Sequence, residues 1–287
     1  MSIRKVGAIL RKRPTLEGAG VRLNRIFGFS QKNIFDPFLL LDDFSGENPE
    51  DYIKGFPWHP HRGIETITYI ISGNVEHQDS LGSKGNIRDN EIQWMTAGSG
   101  ILHQEMPLNA GKPLQGFQLW ANLPKSYKMM DPRYRDVTTD QITCEKISKG
   151  VTVKVIAGEV NGIRGPVQDV VIKPIYFDVS MEPNSEFKFE IPLENTAIVY
   201  IFEGKAQFGE EYKKVESGNL VELITGDFVQ IKTGDTKARM LFISGKPIKE
   251  TIAWYGPIVM NTQEELEAAF KEFRNGTFVK KKGKQVL

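Results

Sequence analysis

Two short phrases hold most of the chemistry in this chain: residues 55–65, GFPWHPHRGIE, and residues 100–107, GILHQEMP. The 287 residues include four histidines, His59, His61, His77 and His103, and three of them fall in these phrases. His59 and His61 are two apart, as are His103 and Glu105. Residues two apart in an extended strand project to the same face, and Pro60 favours an extended backbone at His59. Two such pairs on neighbouring strands would converge on one point. Three imidazoles and a carboxylate make a nitrogen and oxygen donor set that suits Fe(II), Mn, Ni, Cu or Zn rather than Mg or Ca. Such a set leaves positions open on an ion that takes five or six ligands, which is the mark of a catalytic centre. By alternation alone, Glu65 and Glu105 are both candidates for the carboxylate. His77, with Asp79 close by, reads as a hydrogen-bonding partner behind a ligand. Gln104, between His103 and Glu105, points away and is given no role.

The elements that must position these residues read as strands. Short runs rich in β-branched and aromatic residues, among them PFLLLDDF, ETITYIISG, GFQLWANLP, TAIVYIFEG and ARMLFISG, are punctuated by 27 glycines and 15 prolines. Many short strands between turn residues describe an all-β sandwich or barrel. One helix is expected near the C-terminus, in NTQEELEAAFKEFRNG. There Thr262 and Glu265 form a capping box, apolar residues recur at helical spacing, and Gly276 is a stop. The segment 124–137, with two prolines, reads as a connector.

A weak internal repeat links the halves. TITYIISG (66–73) resembles TAIVYIFEG (196–204), and NEIQWMTAG (90–98) resembles GDFVQIKTG (226–234). This implies two similar β-domains joined near 124–150. Counting from the shared glycine, Glu190 and Pro192 stand where the first half has His59 and His61, and a position near Arg239 stands for His103. Only the first half carries the chemistry.

Composition narrows the function classes. Apolar residues are 40% and charged residues 25%, with a formal net charge of +1, so no strong field favours nucleic acid or a membrane surface. The single cysteine, Cys144, excludes an internal disulfide framework and a multi-thiolate metal site and suits a reducing cytoplasm. The N-terminal MSIRKVGAILRKRPTLEG shows no leader-type apolar run, and the chain has no run of about twenty apolar residues that could span a bilayer. A cytoplasmic location is expected, with no direct nucleic-acid or membrane partner. The basic run KKKGK (280–284) reads as a solvated tail.

HPHRGIETITYIISG, QWMTAGSGILHQEMP and LQGFQLWANLPKSYKMMDPRY, together with the C-terminal YGPIVMNTQEELEAAFKEFRNGTF, resemble the pirin family of bicupins across most of residues 17–278. The resemblance implies two tandem cupin-type β-barrels (double-stranded β-helices) with a short C-terminal helix. It implies a metal-binding N-terminal cupin at 1–135 and a metal-free C-terminal cupin with the terminal helix at 136–287. The ligands it implies are His59, His61, His103 and Glu105, holding one divalent ion. That ion is expected to be Fe(II), with Ni, Cu, Mn, Co or Zn as alternatives. Glu65 follows His61 at one residue less than the usual cupin spacing, and a one-residue shift turns a side chain to the other face.

The implied activity is that of a quercetin 2,3-dioxygenase. A flavonol and O2 are the substrates, and Glu105 is the catalytic base. The alternative is an iron-binding, redox-sensitive regulator of a transcription factor or metabolic enzyme. Phe56, Trp58, Trp94, Met95 and Phe117 are candidates to line an apolar slot. Trp58 stands where family members often carry a smaller or polar residue. A monomer is expected, with a dimer through sheet edges as the alternative.

Overall fold

The structure, a computed structural model, describes residues 2–109, 111–280 and 284–285. The chain divides into two compact units, Arg13–Thr139 with Ile248–Leu287, and Met1–Lys12 with Asp140–Pro247. Each is built almost wholly of antiparallel strands.

The first unit contains β1 (Val21–Phe27), β2 (Phe38–Asp43), β3 (Phe56–His61), β4 (Ile64–Ser72), β5 (Val75–Asp79), β6 (Ile92–Thr96), β7 (Ile101–Pro107), β8 (Gln115–Asn122) and β9 (Arg133–Val137). One sheet runs β1–β2–β8–β4–β6–β9, and a smaller one holds β3, β7 and β5 in that order. The near-continuous burial of β4, IETITYIIS, follows from its place inside the larger sheet. β3, FPWHPH, lies at an edge of the smaller sheet, where its two prolines cost no ladder bond on the unpaired side. β7 alternates buried and half-buried residues, so Ile101, His103, Glu105 and Pro107 share the inward face.

The segment Ile248–Leu287 closes this unit. Ala253–Tyr255 pairs with Ile258–Met260, and α1 (Gln263–Arg274) follows, with Thr262 and Glu265 in the expected capping box. Gly63 turns between β3 and β4 with φ +77°, and a Cβ there would lie 1.9 Å from the Val259 carbonyl oxygen. Only glycine lets the C-terminal segment come this close to the turn behind His61. Lys128, almost fully buried, clamps the same place. Its ammonium donates to the carbonyls of Gly63 (2.9 Å) and Val259 (3.0 Å) and to Asn122 Oδ1 (2.7 Å), and burial pushes its pKa down to about 7.

The second unit contains β10 (Ile175–Met181), β11 (Glu186–Glu190), β12 (Thr196–Phe208), β13 (Asn219–Ile224), β14 (Phe228–Lys232) and β15 (Ala238–Gly245). β13, β12, β15 and β10 are consecutive in its main sheet, with Lys5–Arg11 added beside β13. β11 pairs with β14. Its apolar core cluster includes Phe177, Phe187 and Phe242, with the partly buried Phe189 in ring contact with all three.

These units differ from a linear division at 135/136. Residues 5–11 pair with β13 of the second unit, whereas the terminal helix belongs to the first, because Arg62 bridges Ile258 and donates to the Phe278 carbonyl. The repeat is also displaced by one strand. β14 pairs with β11 as β7 pairs with β3, so β14 is the counterpart of β7. Arg239 lies on the next strand, in a two-pronged bond to Asp178, and is not the counterpart of His103. In the basic run 280–284, Lys284–Gln285 pair with β9, and residues 281–283 lie outside the described residues.

Candidate metal centre

Strand pairing sets His103 of β7 directly opposite His59 of β3 on one side and Asp79 of β5 on the other. His61, two residues on from His59, joins them. One nitrogen from each of His59, His61 and His103 lies within 4.8 Å of the others. His59 is half-buried; His61 and His103 are 2% and 1% exposed.

The hydrogen bonds fix which nitrogen each ring has to offer. His59 Nδ1 donates to the Pro57 carbonyl at 2.9 Å, and His61 Nδ1 donates to the Pro257 carbonyl at 3.1 Å. A carbonyl accepts and cannot donate, so each Nδ1 carries the hydrogen and each neutral ring keeps its lone pair on Nε2. Those two Nε2 atoms face each other at 3.1 Å. Two lone pairs at that separation repel unless a cation lies between them. Two nitrogens bound at right angles to one ion, each ~2.1 Å away, would sit about 3.0 Å apart. Both ring nitrogens of His103 are buried with no partner among the described residues. Burial holds the His61 and His103 imidazoles well below their usual pKa range, with neighbouring imidazoles adding to the effect, so both rings stay neutral and able to ligate. The residues present fit a metal ion.

The two carboxylates are separated by their surroundings. Glu65 is fully buried, its Oε1 accepting from Thr96 Oγ1 at 2.6 Å, and burial raises its pKa. Glu105 lines the same cavity as His59 and His61. Its Oε1 accepts from Thr68 Oγ1 at 2.8 Å, and the carboxylate stands outside the 4.8 Å imidazole cluster. The β3–β7 register shifts between His103 and Glu105, which faces Phe56; β3 therefore carries an extra residue at this point, and such bulges re-aim the local chain. His77 is fully buried behind the cluster, its ring centroid 5.3 Å from that of His103 and its Nε2 3.7 Å from Asp79 Oδ2.

The cavity beside the imidazoles measures about 840 Å³, within the range of small-molecule sites. Phe56 lines it as expected. Trp58 is 48% exposed and outside the lining, as strand parity with His59 requires. Trp94, Met95 and Phe117 are buried away from it. The aromatic walls are instead Phe29, Phe44, Trp120 and Trp254. Trp120 was findable, because it lies two residues after Gln118 on a strand with visible alternation. Trp254 comes from the C-terminal segment, and no local pattern could have placed it here.

The pirin model matches residues 20–121, and the model of the pirin C-terminal cupin domain matches residues 176–279. The chain belongs to the pirin family. A pirin-like protein of Caulobacter vibrioides is 42% identical over 279 residues, covering 97% of this chain and 100% of that protein. Among solved structures, quercetin 2,3-dioxygenase from Acinetobacter baumannii superposes with a TM-score of 0.89 at 28% identity, covering 96% of this chain and 99% of that one. The Escherichia coli pirin YhhW, solved in complex with nickel(II), has a TM-score of 0.66 at 20% identity over 84% of this chain and 98% of its own, a likeness of fold. The chain is thus a bicupin of two β-barrels with a short C-terminal helix. No helix among the described residues is long and apolar enough to cross a membrane.

Proposed function

We propose that this pirin is a flavonol dioxygenase of the quercetin 2,3-dioxygenase type, working at one divalent ion held by His59, His61, His103 and Glu105. Fe(II) is the ion we favour, with Ni, Cu, Mn, Co and Zn as alternatives. The observation that carries the reading is the pair of lone-pair-bearing Nε2 atoms 3.1 Å apart at the wall of a cavity large enough for a three-ring aromatic. When bound, the ion supplies Lewis acidity and an electronic path between substrate and dioxygen.

The protein's own part is positioning and proton transfer. Pro57 and Pro257 hold two imidazoles in one tautomer and one orientation. Glu105 takes the proton of the flavonol 3-hydroxyl as general base. The Thr68 hydroxyl fixes its Oε1 and leaves the second oxygen of the carboxylate to receive that proton. Trp120 and Trp254, ring centroids 6.0 Å apart, shield the bound ring system from water.

The test is loss of the visible absorbance of quercetin on adding aerobic, iron-loaded protein. Turnover by the wild type and at least about a hundredfold loss in Glu105→Ala, typical of removing a general base, are expected. No loss of absorbance with the metal in place would remove the enzyme reading. It would then favour the second reading, a redox-sensitive regulator. That reading's support is Trp58, 48% exposed beside His59, an aromatic anchor of the kind protein interfaces use.

A further inference from the structure

The cavity beside His59 and His61 has a second chemical face. Strand pairing sets Arg25 opposite Asp42, Asp42 opposite Gln118, and Gln118 opposite Thr68, one rung across β1, β2, β8 and β4. Residues directly opposite in a sheet project to the same side, and all four line the cavity. The residues that line the cavity on either side of this rung are apolar. Leu40 faces Trp120 on one. On the other, the Phe44 ring lies where a Cβ on Gly116 would be, 2.6 Å away. The floor is therefore a polar stripe between two apolar ones.

The stripe starts at the metal end, where the Thr68 hydroxyl meets Glu105, and finishes at Arg25. The Arg25 guanidinium is already held by Asp42 through bonds of 2.9 and 2.8 Å and by Glu17 at 2.8 Å. One cation against two carboxylates leaves this end with an excess of negative charge, so it offers nothing to an anion. Asp42 is 5% exposed. Each of its oxygens takes one guanidinium hydrogen and keeps further acceptor capacity. Burial pushes its pKa up to about 6 against the pull of Arg25, so it is ionised at neutral pH and accepts only.

Thr68 Oγ1 lies 2.8 Å from Glu105 Oε1 and 2.7 Å from Gln118 Oε1. One hydroxyl proton cannot serve both oxygens. Turning the Gln118 amide lets its NH2 donate to Thr68 and frees its carbonyl oxygen as another acceptor. With strands ~4.8 Å apart, the acceptors run about 10 Å along the floor from Thr68 to Asp42.

We propose that this stripe is a second subsite that selects neutral, planar polyhydroxylated aromatics by accepting hydrogen bonds from ring hydroxyls remote from the metal, with Asp42 the specificity-determining residue. The inference rests on the flavonol reading above and sharpens it. A ring carboxylate placed at the far end meets like charge and is rejected.

The test is equilibrium binding to metal-loaded protein under dinitrogen, read by quenching of tryptophan fluorescence. Three ligands are compared: quercetin, 3-hydroxyflavone, which keeps the metal-binding hydroxyl and lacks the others, and a 4′-carboxylated 3-hydroxyflavone. Wild-type protein is expected to bind quercetin about tenfold more tightly than 3-hydroxyflavone, the effect of one good charge-assisted hydrogen bond, and the carboxylated ligand most weakly. Asp42→Asn and Gln118→Met should each shrink the quercetin preference to within about threefold, half of that effect in free energy. Equal wild-type affinity for quercetin and 3-hydroxyflavone overturns the subsite while leaving the flavonol reading intact, and this arm needs no variant. An undiminished preference in both variants overturns it too. If no flavonol binds wild-type protein, the flavonol reading itself falls, and the subsite with it.

Discussion

The two barrels of this chain are built from corresponding strands and filled in opposite ways. In the first, β3 and β7 bring imidazoles inward, and the rung across β2, β8 and β4 reads Asp42, Gln118, Thr68. In the second, β11 and β14 bring Phe187, Val229 and Ile231 into the core, and a rung across β10, β15 and β12 reads Phe177, Phe242, Val199, all fully buried. The same scaffold can thus be closed with apolar side chains. The difference teaches that the polar interior of the first barrel is not a requirement of the fold. Buried polar groups without partners carry a desolvation cost, and the second barrel shows that the architecture does not demand it.

The comparison can be broken most sharply at the imidazoles. His61→Ala should abolish most metal binding, by more than the ~100-fold that losing an outer partner of a ligand costs, while circular dichroism shows the barrels still folded. Full metal content in that variant, measured by elemental analysis, would remove His61 from the ligand set. The converse change in the second barrel is Phe187→Ala. It takes a fully buried ring from the aromatic cluster and should cost about 3–5 kcal/mol in urea unfolding without altering metal stoichiometry.

A smaller effect follows from acid. His61 and His103 have folded-state pKa values well below their usual range, so below about pH 6.5 the unfolded chain binds more protons than the folded one. Stability that is present above that pH is lost as pH falls, at up to about 1.4 kcal/mol per pH unit for each ring. Metal-free protein should therefore lose the first barrel before the second on acidification, as followed by hydrogen exchange in each. Simultaneous loss would show that the imidazoles do not set the difference. The smallest effect is expected at Glu190, exposed on β11. Glu190→Gln should change stability by less than about 0.5 kcal/mol and leave metal content at the wild-type level. Arg239→Gln, which breaks the bond to Asp178, should lower stability and likewise spare the metal.

How much was legible in the sequence depended on how local the signal was. The two-residue spacings of His59 with His61 and of His103 with Glu105 are statements about neighbouring side chains on one strand, and the strands are there. The capping box at Thr262 and Glu265 is equally local. Trp58 failed as a pocket residue although the rule that found His59 excludes its immediate neighbour. Asp42 was hidden inside PFLLLDDF because its role comes from Arg25 on another strand. Trp254 and the Pro257 carbonyl reach the centre from almost two hundred residues away, and the pairing of residues 5–11 with β13 spans a similar distance. No periodicity within a segment reports which distant segment it meets. Alternation put Glu65 and Glu105 on an equal footing; the fold surrounds them differently, sealing Glu65 against Thr96 and opening Glu105 to the cavity, a difference that no spacing reports.

The central claim is best tested by crystallography with anomalous scattering at the iron, nickel, copper and zinc edges, on protein purified without chelator and supplied with ferrous iron. The account predicts one strong peak within bonding distance of Nε2 of His59 and His61 and a ring nitrogen of His103, with Glu105 completing the set, and none in the second barrel. A map with no peak among the three imidazoles, or with its peak elsewhere, would contradict it.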